Sequence, residues 1–395
     1  MPSLIFRKGL DMKEAVAAEL AAAYHSKIVD DVRASGFVRR RGRLTIHLAR
    51  EFGFCYGVDR AVDYAYQTRK RFPEKRVFLT GEIIHNPHVN DRLRAQGIRI
   101  LTDAGEARSQ LGPDDVVILP AFGVSIGDLA DLERWGCTLV DTTCGSVLNV
   151  WKNVRRYAQD GLTSIIHGKV SHEETRATAS QATQYAGGHF LIVRDEAEAQ
   201  IGCDFIRRGG DGAAFVAQFG EAVSPGFDPA IHLERVGCAN QTTMLMSESL
   251  KIGEMFRQAM RDRHGEDELA VRFRAFDTIC SATQERQDAV VALLAAEPID
   301  LAVVIGGYNS SNTCNLARIC ADRVPTFHIA EPECLLSAVE IRHRPIGAPS
   351  TAAIPEAVTR DWLPPGDVNV GLTAGASTPN NIVGQVIERL EALAE

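Results

Sequence analysis

The sequence predicts an α/β protein with mainly parallel sheets, and three observations carry that expectation. Short apolar runs recur along the chain: RLTIHLA, VVILPA, TSIIHG, HFLIV, DLAVVIGG and VNVGLTAG. Runs of this length, bounded by turn residues, read as buried strands. Each is followed by a small or polar stretch and then a helical period, the spacing of parallel βαβ units. One junction also appears three times: a strand, then a cysteine, then a helix. It occurs at Cys55 in RLTIHLAREFGFCYGVDRAVDYAYQ, at Cys144 in CTLVDTTCGSVLNVWKNVRRYA and at Cys280 in FRAFDTICSATQERQDAVVALLA.

The repeated junction implies three similar α/β units, each offering one cysteine at the same topological place. We place them at residues 44–143, 144–279 and 280–395. Residues 1–43 read as a peripheral, helical and charged arm, ending in the basic run Arg39, Arg40, Arg41 and Arg43. A length of 395 residues suits two or three units of ordinary size.

Composition narrows the function classes. A net charge of −8 argues against a nucleic-acid surface but leaves anionic small molecules open, because one pocket can be locally positive. No apolar run approaches the roughly 20 residues of a membrane helix. The opening MPSLIFRKGLDMKEAVAAEL lacks a basic-then-apolar pattern, and its acids Asp11, Glu14 and Glu19 speak against a transit peptide. The expectation is a cytoplasmic protein with no nucleic-acid and no membrane partner.

Nine cysteines, an odd number in a long chain, do not suggest a disulfide framework. No CxxC pair is present, which removes zinc ribbons, thioredoxin-like sites and ferredoxin-type runs. Metal-binding cysteines must therefore come from far apart in the chain. A cysteine at a helix start has its thiolate favoured by the positive end of the dipole. Ligands of open α/β sheets gather beyond the strand C-termini. Cys55, Cys144 and Cys280 meet both conditions and could converge on a cluster. Three thiolates on a four-iron cluster would leave one iron open to substrate. Taken singly, each reads as readily as a buried structural thiol. Cys137, Cys203, Cys238, Cys314, Cys320 and Cys334 lack the junction and read as core.

Two further junctions suit anions. GGYNSSNTCNLARIC puts Asn309, Ser310, Ser311 and Asn312 between a strand and a helix, and AGASTPNNIVGQVIERL puts Ser377 and Thr378 in the same place. Backbone N–H groups at a helix start, with hydroxyl and amide side chains, bind phosphate. Ordinary N-capping explains most single instances of this pattern. His85 in GEIIHNPHV and His172 in HGKVSHEETRATAS each follow an apolar run, where a histidine can donate to phosphate or shuttle protons. Glu174 shares a face with His172 if that stretch is extended, and a carboxylate there could donate protons. Thr242 and Thr243 in NQTTMLMSES suit hydrogen bonds to a substrate hydroxyl, and equally suit helix capping.

With these segments assembled, the sequence closely resembles the LytB/IspH family of 4-hydroxy-3-methylbut-2-enyl diphosphate reductases. The matching pieces are GFCYGVDRAV, EIIHNPHV, DTTCGSV, HGKVSHEETRATAS, NQTTM, DTICSATQERQDAV, GGYNSSNT and LTAGASTP, in the family's order from about residue 45 to 390. The long HGKVSHEETRATAS form and the N-terminal arm resemble the cyanobacterial and plant branch.

The resemblance implies three α/β units around a central iron–sulfur cluster, 4Fe-4S in the active enzyme, ligated by Cys55, Cys144 and Cys280 with one iron open. It also implies that His85, His172, Ser310, Ser311, Asn312 and Ser377 hold the substrate diphosphate. Glu174 would relay protons, and Thr242 or Thr243 would orient the substrate near its hydroxyl. The implied reaction removes that hydroxyl reductively to give isopentenyl and dimethylallyl diphosphate, the last step of the non-mevalonate isoprenoid route. Ferredoxin or flavodoxin is implied as electron donor, since no flavin or nicotinamide fingerprint is present. The arm could serve a homodimer contact or simple packing. Rival readings are an iron–sulfur hydro-lyase and a sensor that holds a diphosphate without turnover. One departure stands out: PAFGVS carries Phe122 where better-known bacterial relatives carry a diphosphate-contacting histidine. The plant-like branch shares this phenylalanine.

Overall fold

The computed structural model of the chain describes residues 4–103, 108–276, 278–348 and 355–394. The chain divides into two compact units, Met1–Ile5 with Ala107–Cys280, and Phe6–Glu106 with Ser281–Glu395. One break thus falls at 280/281, beside the expected start of the third α/β part. The stretch expected as the first part, 44–143, contributes to both units.

In the second unit the strands Thr326–Ile329, Leu301–Ile305, Val368–Ala374, Leu44–Leu48 and Val38–Arg41 lie side by side in that order. The first four are mutually parallel. Leu301, Val303 and Ile305 face a core shared with Ile46, Val370, Leu372 and Val386. Ala302 and Val304 face the other way, onto Val290, Leu316 and Cys320. Helices cover both faces, so each run is apolar throughout instead of alternating. Short pairs complete this unit: Val77–Leu79 with Ile98–Ile100 in parallel, and Glu340–His343 with Ala357–Arg360 antiparallel.

The first unit repeats the plan with Phe273–Ala275, Val236–Asn240, Thr163–His167 and Phe190–Val193, all parallel. Its two faces are covered separately: Ile192, Phe205 and Phe256 pack on one side, Val150, Val154 and Tyr157 on the other. Val116–Leu119 and Thr138–Asp141 form a further parallel pair. The architecture is α/β with mainly parallel sheets, and all six quoted apolar runs form strands.

The reading of residues 1–43 as a peripheral helical arm needs correction. Helices form at Lys13–Tyr24 and Lys27–Ala34, but Val38–Arg41 is a strand, antiparallel to Leu44–Leu48. Gly36 and Phe37 turn the chain at positive φ and Gly42 closes the hairpin. The basic run is therefore a sheet edge, where charged side chains discourage further pairing. Arg39 there forms a two-pronged ion pair with Glu391, 2.5 and 3.0 Å. Val29 and Val32 of the preceding helix belong to the main core.

Leu372, fully buried on the central strand of the second unit's sheet, tests this core. Leu372→Ala should lower the unfolding free energy by about 2–5 kcal/mol, seen as an earlier urea midpoint with little change in slope.

Candidate active site

Parallel register sets where the polar residues emerge. In the first unit His167 pairs with Asn240 and Cys238 with Ala275. The chain therefore leaves the same, C-terminal edge of one sheet after His167, Asn240 and Ala275. Ligands of α/β proteins collect at that edge.

Glu174 is the centre of what forms there. It is 1% exposed, and both of its oxygens are held by Thr242: the backbone N–H donates to Oε1 at 2.6 Å and the hydroxyl to Oε2 at 3.0 Å. Thr242 in turn accepts the Cys280 N–H at its carbonyl, 3.3 Å away. Gln241 steadies the neighbouring residue, donating from Nε2 to the Thr243 hydroxyl at 2.8 Å while its Oε1 accepts from Thr175 at 3.1 Å. Thr278 closes the strand end, taking the Asn240 N–H at 2.9 Å and donating to Asn240 Oδ1 at 2.7 Å.

His172 and Glu174 are not on an extended stretch as expected. A helix runs over Glu173–Ala182 with His172 as its N-cap, and His172 Nδ1 accepts the Glu174 N–H at 3.1 Å. Acids in a first turn complement the helix dipole, which favours this start. Because an N–H can only donate, Nδ1 is the acceptor in this bond. Phe122 packs edge-on against the His172 ring, centroids 5.4 Å apart at 79°. Thr242 and Thr243 do not cap a helix either; Leu245 takes that place before Met246–His264.

The second unit gathers the anion-type residues at its own C-terminal edge, where Ile305 pairs with Ala374 and Leu372 with Leu48. Ser310 caps the helix Ser311–Ala321 by accepting the Thr313 N–H at 3.3 Å, which uses an oxygen lone pair and leaves its proton for a ligand. Asn312 Oδ1 accepts the Ala376 N–H at 2.9 Å, so its NH₂ is the donating end. Ser377 donates to the His85 carbonyl at 3.1 Å, and Asn86 donates to the Ser377 carbonyl at 2.8 Å. Ser311, like its neighbours, is buried.

His85 follows no strand, contrary to expectation. It lies in a loop ahead of the helix Pro87–Ala95, whose start is set by Pro87 and the Asn86 cap. Its Nδ1 sits 3.0 Å from Glu82 Oε2, which also accepts from the Asn309 amide at 3.0 Å. The carboxylate thereby ties the His85 ring and the Asn309 amide together. Sequence reasoning passed over Glu82, Gln241 and Thr278. Glu82 lies three residues before His85 and Gln241 inside the NQTTM segment, so both were within reach.

The cysteines separate by environment. Cys55 and Cys144 are N-caps of Tyr56–Arg71 and Gly145–Gln159, and neither side chain bonds its own helix start. Cys280 immediately precedes Ser281–Ala296. All three are half-buried. Of the other six, only Cys314 is not fully buried. Burial pushes the Cys203 and Cys320 thiols up to about 12 and raises Cys137 and Cys238 as well, so these stay protonated.

Polar groups and half-buried thiols at the C-terminal edges of parallel sheets define an α/β protein with the donors of an enzyme site. The residues 46–391 match the model of the family described as LytB protein, and the chain belongs to that family. The 4-hydroxy-3-methylbut-2-enyl diphosphate reductase of Gloeobacter violaceus is 49% identical over 392 residues, covering 98% of this chain and 91% of the relative. That of Thermosynechococcus vestitus is 46% identical over 390 residues, covering 98% and 94%. A solved structure of (E)-4-hydroxy-3-methyl-but-2-enyl diphosphate reductase, the terminal enzyme of the non-mevalonate pathway, is 27% identical with a TM-score of 0.51, covering 88% of this chain and 99% of that one. The Plasmodium falciparum reductase structure, at 20% identity and TM-score 0.61, shares the fold. Members of the family carry an iron–sulfur cluster. The donor set fits such a group: half-buried cysteines at helix starts, set apart from thiols that burial holds neutral.

His328 gives a pH test of the anion loop. Its Nε2 donates to the Gly306 carbonyl at 2.9 Å, and burial lowers its pKa from 6.5 to about 3. The folded chain keeps it neutral while the unfolded chain protonates it below pH 6.5, so stability falls as pH drops from about 6.5 toward 3. Between pH 7 and 5 this one group should cost about 2 kcal/mol, and urea unfolding of His328→Gln should show a correspondingly flatter pH dependence.

Proposed function

We propose that the chain removes the hydroxyl of (E)-4-hydroxy-3-methylbut-2-enyl diphosphate reductively, giving isopentenyl and dimethylallyl diphosphate. The observation that carries this reading is the Glu174–Thr242 pair, a buried carboxylate gripped by a hydroxyl, with the Cys280 N–H bonded to the same threonine. Cys55, Cys144 and Cys280, one from each of the α/β parts 44–143, 144–279 and 280–395, are the ligands of a 4Fe-4S cluster. When bound, that cluster supplies electrons and one open Lewis-acidic iron.

The chain's own groups do the rest. The Ser310 hydroxyl, the Asn312 amide and the N–H groups at the start of Ser311–Ala321 bind diphosphate oxygens, with Ser311 and Ser377 beside them. His85 and His172 add Nε2 donors. Thr242 and Thr243 orient the substrate hydroxyl. When Glu174 takes up a proton, its bond to Thr242 can reverse, and the threonine proton turns toward the leaving oxygen. The C–O bond breaks with two electrons and two protons consumed. One proton leaves in water and the other adds at either end of the allylic system. Ferredoxin or flavodoxin delivers the electrons. No helix of the described residues is long and apolar enough to cross a membrane, which agrees with a cytoplasmic enzyme, and the N-terminal helices are a candidate homodimer contact.

The deciding experiment is an anaerobic assay with the hydroxylated allylic diphosphate and a strong one-electron reductant, alongside iron and sulfide quantitation. Isoprenoid diphosphate formed only with reductant supports the reading. Water loss without reductant indicates a hydro-lyase, and a full cluster without turnover indicates a sensor. Glu174→Gln should retain cluster and substrate binding while turnover falls by about 10²–10⁴-fold; near-normal turnover would remove Glu174 from its role. Serine at Cys55, Cys144 or Cys280 should each abolish stable cluster assembly, and an unaltered cluster spectrum in any one breaks the ligand assignment.

A further inference from the structure

The loop ahead of Cys55 is gripped from two sides, and one grip comes from a residue with no assigned part in the chemistry. Arg286 lies on the helix Ser281–Ala296 and is only 3% exposed. Its Nε and one terminal nitrogen both donate to the Gly53 carbonyl, at 3.2 and 2.7 Å, and the same nitrogen reaches the Phe54 carbonyl at 3.2 Å. The other terminal nitrogen donates to Ala282 of its own helix at 2.7 Å. From the opposite side, the Gly53 N–H bonds the Ala374 carbonyl at 3.2 Å and the Cys55 N–H the Ala376 carbonyl at 3.3 Å. Gly53 has φ +74°, and a Cβ there would press on Asn380 Oδ1 and the Thr378 carbonyl at 3.1 and 3.2 Å.

We propose that Arg286 is a positioning residue: its guanidinium fork fixes residues 53–54, and through them the direction in which Cys55 presents its thiol. A buried cation is costly unless it is compensated. Among the described residues no carboxylate forms an ion pair with Arg286; its partners are neutral carbonyls. Stability alone would be served as well by an apolar side chain. A planar fork that holds two consecutive carbonyls is what the loop specifically requires, and lysine cannot supply it. The charge also reaches the first turn of the Cys55-headed helix, where it opposes the burial that raises the Asp59 carboxyl. The role rests on the reading of Cys55 as a cluster ligand, but the clamp itself can be tested without any cluster.

The experiment compares the wild-type chain with Arg286→Lys and Arg286→Gln, each checked for folding by circular dichroism. Hydrogen exchange on the metal-free chains reads the amides of Gly53 and Cys55, with residues 141–146 as internal control. Both variants should lose protection at Gly53 and Cys55 by about tenfold or more, with the control unchanged. In the reconstituted proteins, iron should pass to a chelator several times faster from both variants, and lysine should fail to rescue. Wild-type protection at Gly53 and Cys55 overturns the clamp. So does lost protection accompanied by a wild-type rate of iron release, because Arg286 would then be structural only. If the wild-type chain takes up no iron, the functional reading fails instead, and exchange alone judges the clamp.

Discussion

A buried carboxylate must find hydrogen-bond donors or give up its charge, and the first unit is arranged around that requirement at Glu174. Its donors come from Thr242, which can be there only because Val236–Asn240 ends beside Thr163–His167 in register. The Thr242 carbonyl then receives Cys280, so acid, hydroxyl and thiol-bearing backbone are one connected set. Displacing any member leaves a buried polar group unpartnered, at about 1–3 kcal/mol. The network therefore holds the sheet edge together.

The second unit solves a different problem, that of holding a polar loop cluster together at its sheet edge. It does so largely by using side-chain acceptors for structure. Ser310 caps with its oxygen, Asn312 accepts with its carbonyl, and the Glu82 carboxylate fixes His85 through Nδ1. The Asn312 amide also reaches inward, to the Thr283 hydroxyl at 3.5 Å, and Ser377 donates its hydroxyl to the His85 carbonyl. That bond links the placement of Ser377 to the placement of His85.

Much of this was legible in the sequence. Strands covered on both faces are continuous in apolar character, and each of the three strand–cysteine–helix junctions forms as read. Boundaries that depend on one residue's chemistry were less visible. Whether His172 caps a helix or extends a strand rests on a single bond from the Glu174 N–H to its ring. The GEIIH stretch looks like a strand end because Ile83 and Ile84 are buried, yet their burial serves a loop. Arg39 to Arg41 resemble a solvated arm until Glu391, far along the chain, pairs with Arg39. Partners this distant leave no trace in local pattern.

Phe122 shows how the site can absorb a substitution that looks damaging in sequence. A phenylalanine cannot donate to phosphate, so the loss of a histidine there suggests a weakened anion site. In the fold its ring packs at 79° against the His172 ring instead, while the Glu174 N–H donates to Nδ1 of the same imidazole. An imidazole held at both ring and nitrogen has little rotational freedom, so the direction of its Nε2 is set by the protein. Preorganising one donor offsets part of what a second, mobile donor would contribute, because a fixed group loses less entropy on binding. The apolar residue thus confines the histidine that the proposed reading assigns to the diphosphate.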